Sequence, residues 1–275
     1  MTFERVEAED LYSLALTDTA RNYFVCYSIN NHQSYAAVWQ FKEDGKPIMG
    51  VFLRKTGIVQ IICEPGLYIE KYREKLAHLL SKIPWKQAFV TTPFKRLIQG
   101  MEVETRVHEG AFIASCSPAK YQPIYKSVQH DKDDLKFEDL ILKDLTIDDL
   151  DDVIDIYLEV FKGFASYDYM VEKLKSGRGR ATGGFINGKM ITVSQSDYES
   201  VDSAIVVGVA TRLDSQGKGY GRACFQHLCN QLILIEKKTL YLQYDSPVAG
   251  ALYKRLGFEI VEQIYHVEKI EEVNR

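Results

Sequence analysis

The run Val206-Val207-Gly208-Val209-Ala210-Thr211, followed by Arg212-Leu213-Asp214-Ser215 and then Gln216-Gly217-Lys218-Gly219-Tyr220-Gly221, constrains this chain more than any other stretch. An apolar, β-branched run that breaks into glycines and opens onto the helical pattern Arg222-Ala223-Cys224-Phe225-Gln226-His227-Leu228 predicts strand, turn and helix. Glycine permits positive φ and close backbone approach, so several N–H groups can converge on one anion at the positive end of the helix. Lys218 adds a cation and Gln216 an amide donor. The stretch predicts a site for a pyrophosphate.

Two well-known nucleotide loops do not fit it. A P-loop needs Ser or Thr after its Gly-Lys, where this chain has Gly219. A Rossmann turn needs G-x-G-x-x-G, and Gly217, Gly219 and Gly221 give G-x-G-x-G. The run Gln216 to Gly221 instead resembles the Gln/Arg-x-x-Gly-x-Gly/Ala loop of the GNAT superfamily of acyl-CoA-dependent N-acetyltransferases. A second block, Ser246-Pro247-Val248-Ala249-Gly250-Ala251-Leu252-Tyr253-Lys254-Arg255-Leu256-Gly257-Phe258, is similar to that family's Asn-x-x-Ala-x-x-Leu-Tyr-x-x-x-Gly-Phe.

The resemblance implies acetyl-CoA as co-substrate and direct transfer of its acetyl group to a small amine, without an acyl-enzyme. It implies that Val207, Gly208 and Val209 lie on a strand splayed from its neighbour, pairing with the pantetheine arm, with the N–H near Val209 aimed at the thioester oxygen. Gln216, Gly217, Lys218, Gly219, Tyr220 and Gly221 would anchor the pyrophosphate, Ser246 would stand where the family has Asn, and Tyr253 would give a proton to the CoA sulfur. A phenol of ordinary pKa near 10 is protonated at neutral pH, which suits that role. No general base is evident. The strand before the loop, Ala204-Ile205-Val206-Val207, has no carboxylate, and Asp197, Glu199 and Asp202 read as solvated turn residues. Acceptor binding would fall on Gly163-Phe164-Ala165-Ser166-Tyr167-Asp168-Tyr169, a loop whose first reading is a lid with packing aromatics.

A net charge of −4 and a pI near 5.9 give no case for non-specific nucleic-acid binding. The first ten residues lack the apolar core of a signal peptide, and no apolar run reaches the roughly 20 residues of a membrane span. Five scattered cysteines without CxxC spacing point to a reducing compartment, and the reading is cytoplasmic. Cys224, in the first turn of the predicted loop helix, reads as a packing residue. The histidines form no ligand cluster, and no metal is expected.

The expected fold is α+β or α/β: two GNAT-like domains, each a mixed, mostly antiparallel sheet flanked by helices. Strand-like stretches at 22–29, 35–41, 48–53 and 58–63 precede a helix at 67–80, a strand at 88–91, a helical turn at 94–98 and a strand at 101–107. Pro118, Pro123 and the charged run His130-Asp131-Lys132-Asp133-Asp134 mark the stretch from about Ser117 to Asp139 as the break between halves, with the linker expected at 126–137. In the second half the expected elements are a strand at 140–142, helices at 147–162 and 169–174, and a hairpin about Asn187-Gly188. The loop strand and helix follow, then a strand at 239–244, a helix at 248–256 and a closing strand at 258–267. Aspartates 148, 149, 151 and 152 read as solvated carboxylates at a helix start.

The GNAT resemblance covers residues 138 to 270, and the first half repeats the element order. There Cys63-Glu64-Pro65-Gly66 runs into helix with one glycine and no loop lysine. Residues 1–125 are therefore expected to be a degenerate GNAT-like domain without a phosphate loop, and 138–275 the catalytic one. Such tandem chains are similar to the glycine N-acyltransferase-like branch. The expectation is one active site per chain. A CoA-binding sensor with little catalysis is the alternative, and transfer of amino-acid or longer acyl groups a third.

Overall fold

The computed structural model describes residues 3–30, 35–124 and 139–270, so the expected linker at 126–137 lies outside the described residues. The chain forms two compact units, Met1–Ile113 with Val261–Arg275, and Ala114–Ile260.

In the first unit, β1 (Glu4–Val6), α1 (Tyr12–Leu16), α2 (Thr19–Asn30), β2 (Tyr35–Glu43), β3 (Lys46–Arg54) and β4 (Ile58–Cys63) lead into α3 (Arg73–Lys82). Then come β5 (Gln87–Thr91), α4 (Thr92–Gln99) and β6 (Thr105–Cys116). The ladder β1-β2-β3-β4 is antiparallel, and β4 pairs parallel to β5. Phe41, Val51, Val59, Leu76, Leu80, Leu97 and Ile98 form its core. The stretch 22–29 is helix, not the expected strand. Its aromatics and β-branched residues read as strand composition, yet the buried positions Asn22, Val25, Cys26 and Ile29 recur every three or four residues, which only a helix places on one face. The strand expected at 101–107 starts instead at Thr105.

The second unit repeats the order: β7 (Ile141–Asp144), α5 (Leu150–Val160), α6 (Tyr167–Ser176), β8 (Ala181–Ile186), β9 (Lys189–Asp197), β10 (Ser203–Thr211), α7 (Tyr220–Cys229), β11 (Thr239–Tyr244), α8 (Pro247–Arg255) and β12 (Glu259–Lys269). The ladder β7-β8-β9-β10 is antiparallel, and β10 runs parallel to β11. Asn187 and Gly188 both have positive φ, 49° and 78°, as a type I′ turn requires. The predicted loop helix ends at Cys229 and continues as a π-helical stretch, Asn230–Ile235. One face of this sheet packs Phe225, Leu228, Leu232, Leu240 and Tyr253, and a separate cluster gathers Leu150, Val153, Ile156, Tyr157 and Met170. The sheet is thus mixed, mostly antiparallel and flanked by helices, as expected.

The later part of β12 belongs to the first unit, whereas the sequence reading kept the closing strand with the second half. It pairs antiparallel with β5 from Ile264↔Thr91 to Glu268↔Gln87 and buries Val267 in the first core. Among the described residues no helix is long and apolar enough to cross a membrane.

Candidate active site

β10 is held on both sides at its start and released toward its end. Its parallel pairing with β11 runs from Ser203↔Thr239 to Val206↔Leu242 and stops there. Against β9 the register shifts between Val207↔Gln195 and Ala210↔Val193, which leaves one extra residue on β10. Such a bulge bends the strand and re-aims its backbone. Gly208 takes the strain with φ +59°, in the left-handed region, and a Cβ there would overlap the Tyr157 hydroxyl. Val209 packs against the cluster that contains Tyr253.

After Thr211 the chain is clamped to α5. Buried Arg212 donates to Glu159 (3.1 Å), Asp155 (2.7 Å) and the Met190 carbonyl (2.9 Å), while the Leu213 N–H donates to Glu159 (2.6 Å). Gly217 and Gly219 have φ of +74° and +81°, and Gly219, the N-cap of α7, has no side chain to cap it. A Cβ on Gly221 would lie 2.7 Å from Thr211 Oγ1, so glycine lets the helix start against the strand end. Gln216 and Lys218, expected to reach a phosphate, turn onto the loop's own backbone. The Gln216 amide donates to the Thr211 carbonyl (3.0 Å) and the Lys218 ammonium to the Asp214 carbonyl (2.9 Å).

Tyr253 lies on α8 with its ring centroid 5.2 Å from Phe225, 5.4 Å from Tyr244 and 5.9 Å from Phe258. Burial, with Cys229 and Tyr244 nearby, pushes its phenol above the ordinary value, so it holds its proton. The Ser246 hydroxyl accepts from the Ala249 N–H (3.4 Å) and caps α8. Cys224 is buried, its Sγ 3.2 Å from the Thr182 carbonyl, and burial pushes the thiol up to about 12. It packs rather than reacts.

Two of the three carboxylates read as solvated are not. Asp197 is buried, accepting from Tyr169 (2.6 Å), Arg178 (3.1 Å) and the Tyr198 N–H (2.9 Å). Glu199 takes Arg180 (2.7 and 2.9 Å), Lys238 (2.9 Å) and Ser196 (2.5 Å); burial raises its pKa, but these bonds outweigh it and hold the group below the usual range. Asp202 is exposed beside Ser200. Asp149 differs from its solvated reading too, since it closes a capping box with Thr146 and pairs with Lys143. Around the expected acceptor loop, Phe164 packs on Tyr157 with centroids 5.5 Å apart and Tyr169 is buried, while Tyr167 and Asp168 face outward.

A polar chain absent from the sequence reading ends at the bulge. Lys173 on α6 donates to the Gln195 side-chain oxygen, Gln195 on β9 to Tyr157 (2.7 Å), and Tyr157 on α5 to the Gly208 carbonyl (2.8 Å). Its one sequence signal is Lys173, at an inward-facing position of an amphipathic helix.

No protein-family model matches the chain. An uncharacterized N-acetyltransferase of Methanocaldococcus jannaschii is 29% identical over 144 residues, 45% of this chain and 62% of the relative. A solved GNAT-family acetyltransferase of Colwellia psychrerythraea superposes with a TM-score of 0.66 at 12% identity, covering 98% of this chain and all of that one. A tandem GNAT protein from the clavulanic acid biosynthesis pathway gives 0.64 at 13% identity, covering 97% and 98%. The chain has the GNAT fold. The tandem likeness spans both units, so the repeated element order is a GNAT architecture used twice. Within this GNAT frame the split between β10 and β11, the bulge at Gly208 and the glycine-capped α7 fall in one unit, Ala114–Ile260. The chain spans about three-fifths of the curated relative's length. Among the described residues no group of His, Cys, Asp and Glu could hold a metal.

Proposed function

We propose that the second half moves an acetyl group from acetyl-CoA to a primary amine, in a small molecule or amino acid, by direct attack in a ternary complex. The observation that carries this is the bulged end of β10, unpaired from β11 beyond Val206 and running into the glycine-capped N-terminus of α7. Backbone groups of Val207–Val209 would pair with the pantetheine arm. The first-turn N–H groups of α7 suit a pyrophosphate, and Gln216 and Lys218 each keep further hydrogens for it.

The neutral amine attacks the thioester carbon, and its oxygen takes charge facing the Val209 N–H. The tetrahedral adduct then collapses, breaking the C–S bond and leaving an amide. Tyr253 supplies the proton that the departing thiolate takes, and the amine nitrogen loses one. Loss of an oxyanion donor of this kind costs about 10²–10³ in rate. In the first unit the same strand-to-helix turn, with the Glu64 N–H bonded to Ile48 and the Leu67 N–H to Glu64, leads into a 3-10 turn at Ile69–Tyr72. That half is proposed not to hold CoA. Calorimetry with acetyl-CoA on the full chain should therefore give one site per chain, and two equal sites would refute the division of labour.

A second reading, a CoA-binding sensor, is favoured by one observation: Asp197 and Glu199 are fully committed to ion pairs and offer no base. Amine-dependent release of CoA separates the two. Free cysteines throughout the described residues fit a reducing, cytoplasmic setting.

A further inference from the structure

The peptide joining Gly208 to Val209 has one carbonyl and one N–H, and the fold has taken hold of the carbonyl. Tyr157 donates to it at 2.8 Å, and the Cβ that Gly208 lacks would stand where that hydroxyl sits. In a trans peptide the C=O and N–H point in opposite directions. Fixing the carbonyl toward α5 therefore fixes the direction in which the Val209 N–H points.

The chemistry of the chain sets every donor. An ammonium cannot accept, so Lys173 must meet the Gln195 oxygen, which turns the amide nitrogen to Tyr157. Tyr157 accepts that bond and sends its own proton to Gly208. All three side chains are 2–3% exposed, so water does not compete for them. Donor chains running one way polarise each link, and a hydrogen bond to an amide oxygen strengthens the donor at the other end of that amide. A charged head adds to this. Replacing such a buried polar chain by apolar groups is commonly neutral or stabilising, so its presence points away from a purely structural use.

We infer that Tyr157, Gln195 and Lys173 are positioning residues that aim and polarise the Val209 N–H toward the thioester oxygen, an inference that rests on the transfer reading above. Acetyl-CoA with an isotope-labelled thioester carbonyl, bound to the full chain, reads this donor through its infrared stretch. In the parent the stretch should fall below that of free acetyl-CoA. Tyr157→Phe should lose half or more of that downshift and slow transfer about tenfold or more, while acetyl-CoA affinity changes less than about threefold. Gln195→Met, of similar volume, should do the same and serves if the first variant does not fold. Both variants keeping the parent downshift would overturn the inference. A parent downshift lost in the variants, with no transfer to any amine, would support it while removing the transferase reading. Failure of acetyl-CoA to bind would remove both.

Discussion

The Tyr157 hydroxyl donates to the Gly208 carbonyl at 2.8 Å, and it occupies the space that any side chain at position 208 would need. The glycine and the tyrosine are therefore one structural device. Gly208→Ala meets two penalties, a left-handed φ of +59° and displacement of a buried hydroxyl. Together these should cost about 2–4 kcal/mol in urea unfolding. A change under about 0.5 kcal/mol would show that the bulge is not held this way.

Lys173 gives a prediction with a definite pH sign. Burial lowers its pKa from 10.5 to about 8; Asp197 and Glu199 oppose the shift and Arg178 adds to it. The unfolded lysine keeps its proton up to 10.5, so between about 8 and 10.5 the unfolded chain binds more protons and parent stability rises with pH. Below that window burying the charge costs roughly 3 kcal/mol. Lys173→Met loses the Gln195 bond yet should be more stable than the parent at neutral pH, by about 1–3 kcal/mol. That advantage should shrink through the window. Equal destabilisation at neutral and high pH would contradict it.

Tyr253→Phe keeps the ring contacts with Phe225, Tyr244 and Phe258. Stability should move by less than about 0.5 kcal/mol. Turnover should fall more than acetyl-CoA affinity, because only the proton for the leaving sulfur is lost. Steady-state kinetics with binding measured alongside decides it, and unchanged turnover would remove Tyr253 from the mechanism.

Cys224→Ala tests direct transfer. The thiol is buried and held protonated, so acetyl transfer should persist within about threefold, with about 1 kcal/mol of stability lost to the small cavity. Loss of transfer from a folded variant would point to an acyl-enzyme.

What was legible in the sequence was local. The turn at Asn187-Gly188, the glycine-capped start of α7 and the end of α8 at Gly257 each depend on a few neighbouring residues with strong backbone preferences. α2 was not, because its aromatic and β-branched composition opposed a helical spacing that the surrounding core decides. Asp197 and Glu199 looked like turn residues because their partners Tyr169, Arg178, Arg180 and Lys238 lie far along the chain. The Lys173-Gln195-Tyr157 chain was hidden for the same reason: it exists only once α5, α6 and β9 meet behind the bulge.

The central claim, acetyl transfer to an amine, is tested most directly by thiol detection of CoA released from acetyl-CoA in the presence of a broad panel of primary amines. CoA release should depend on at least one amine and match the amide formed mole for mole. Saturable acetyl-CoA binding with no amine-dependent release across the panel would contradict it and leave a CoA sensor in its place.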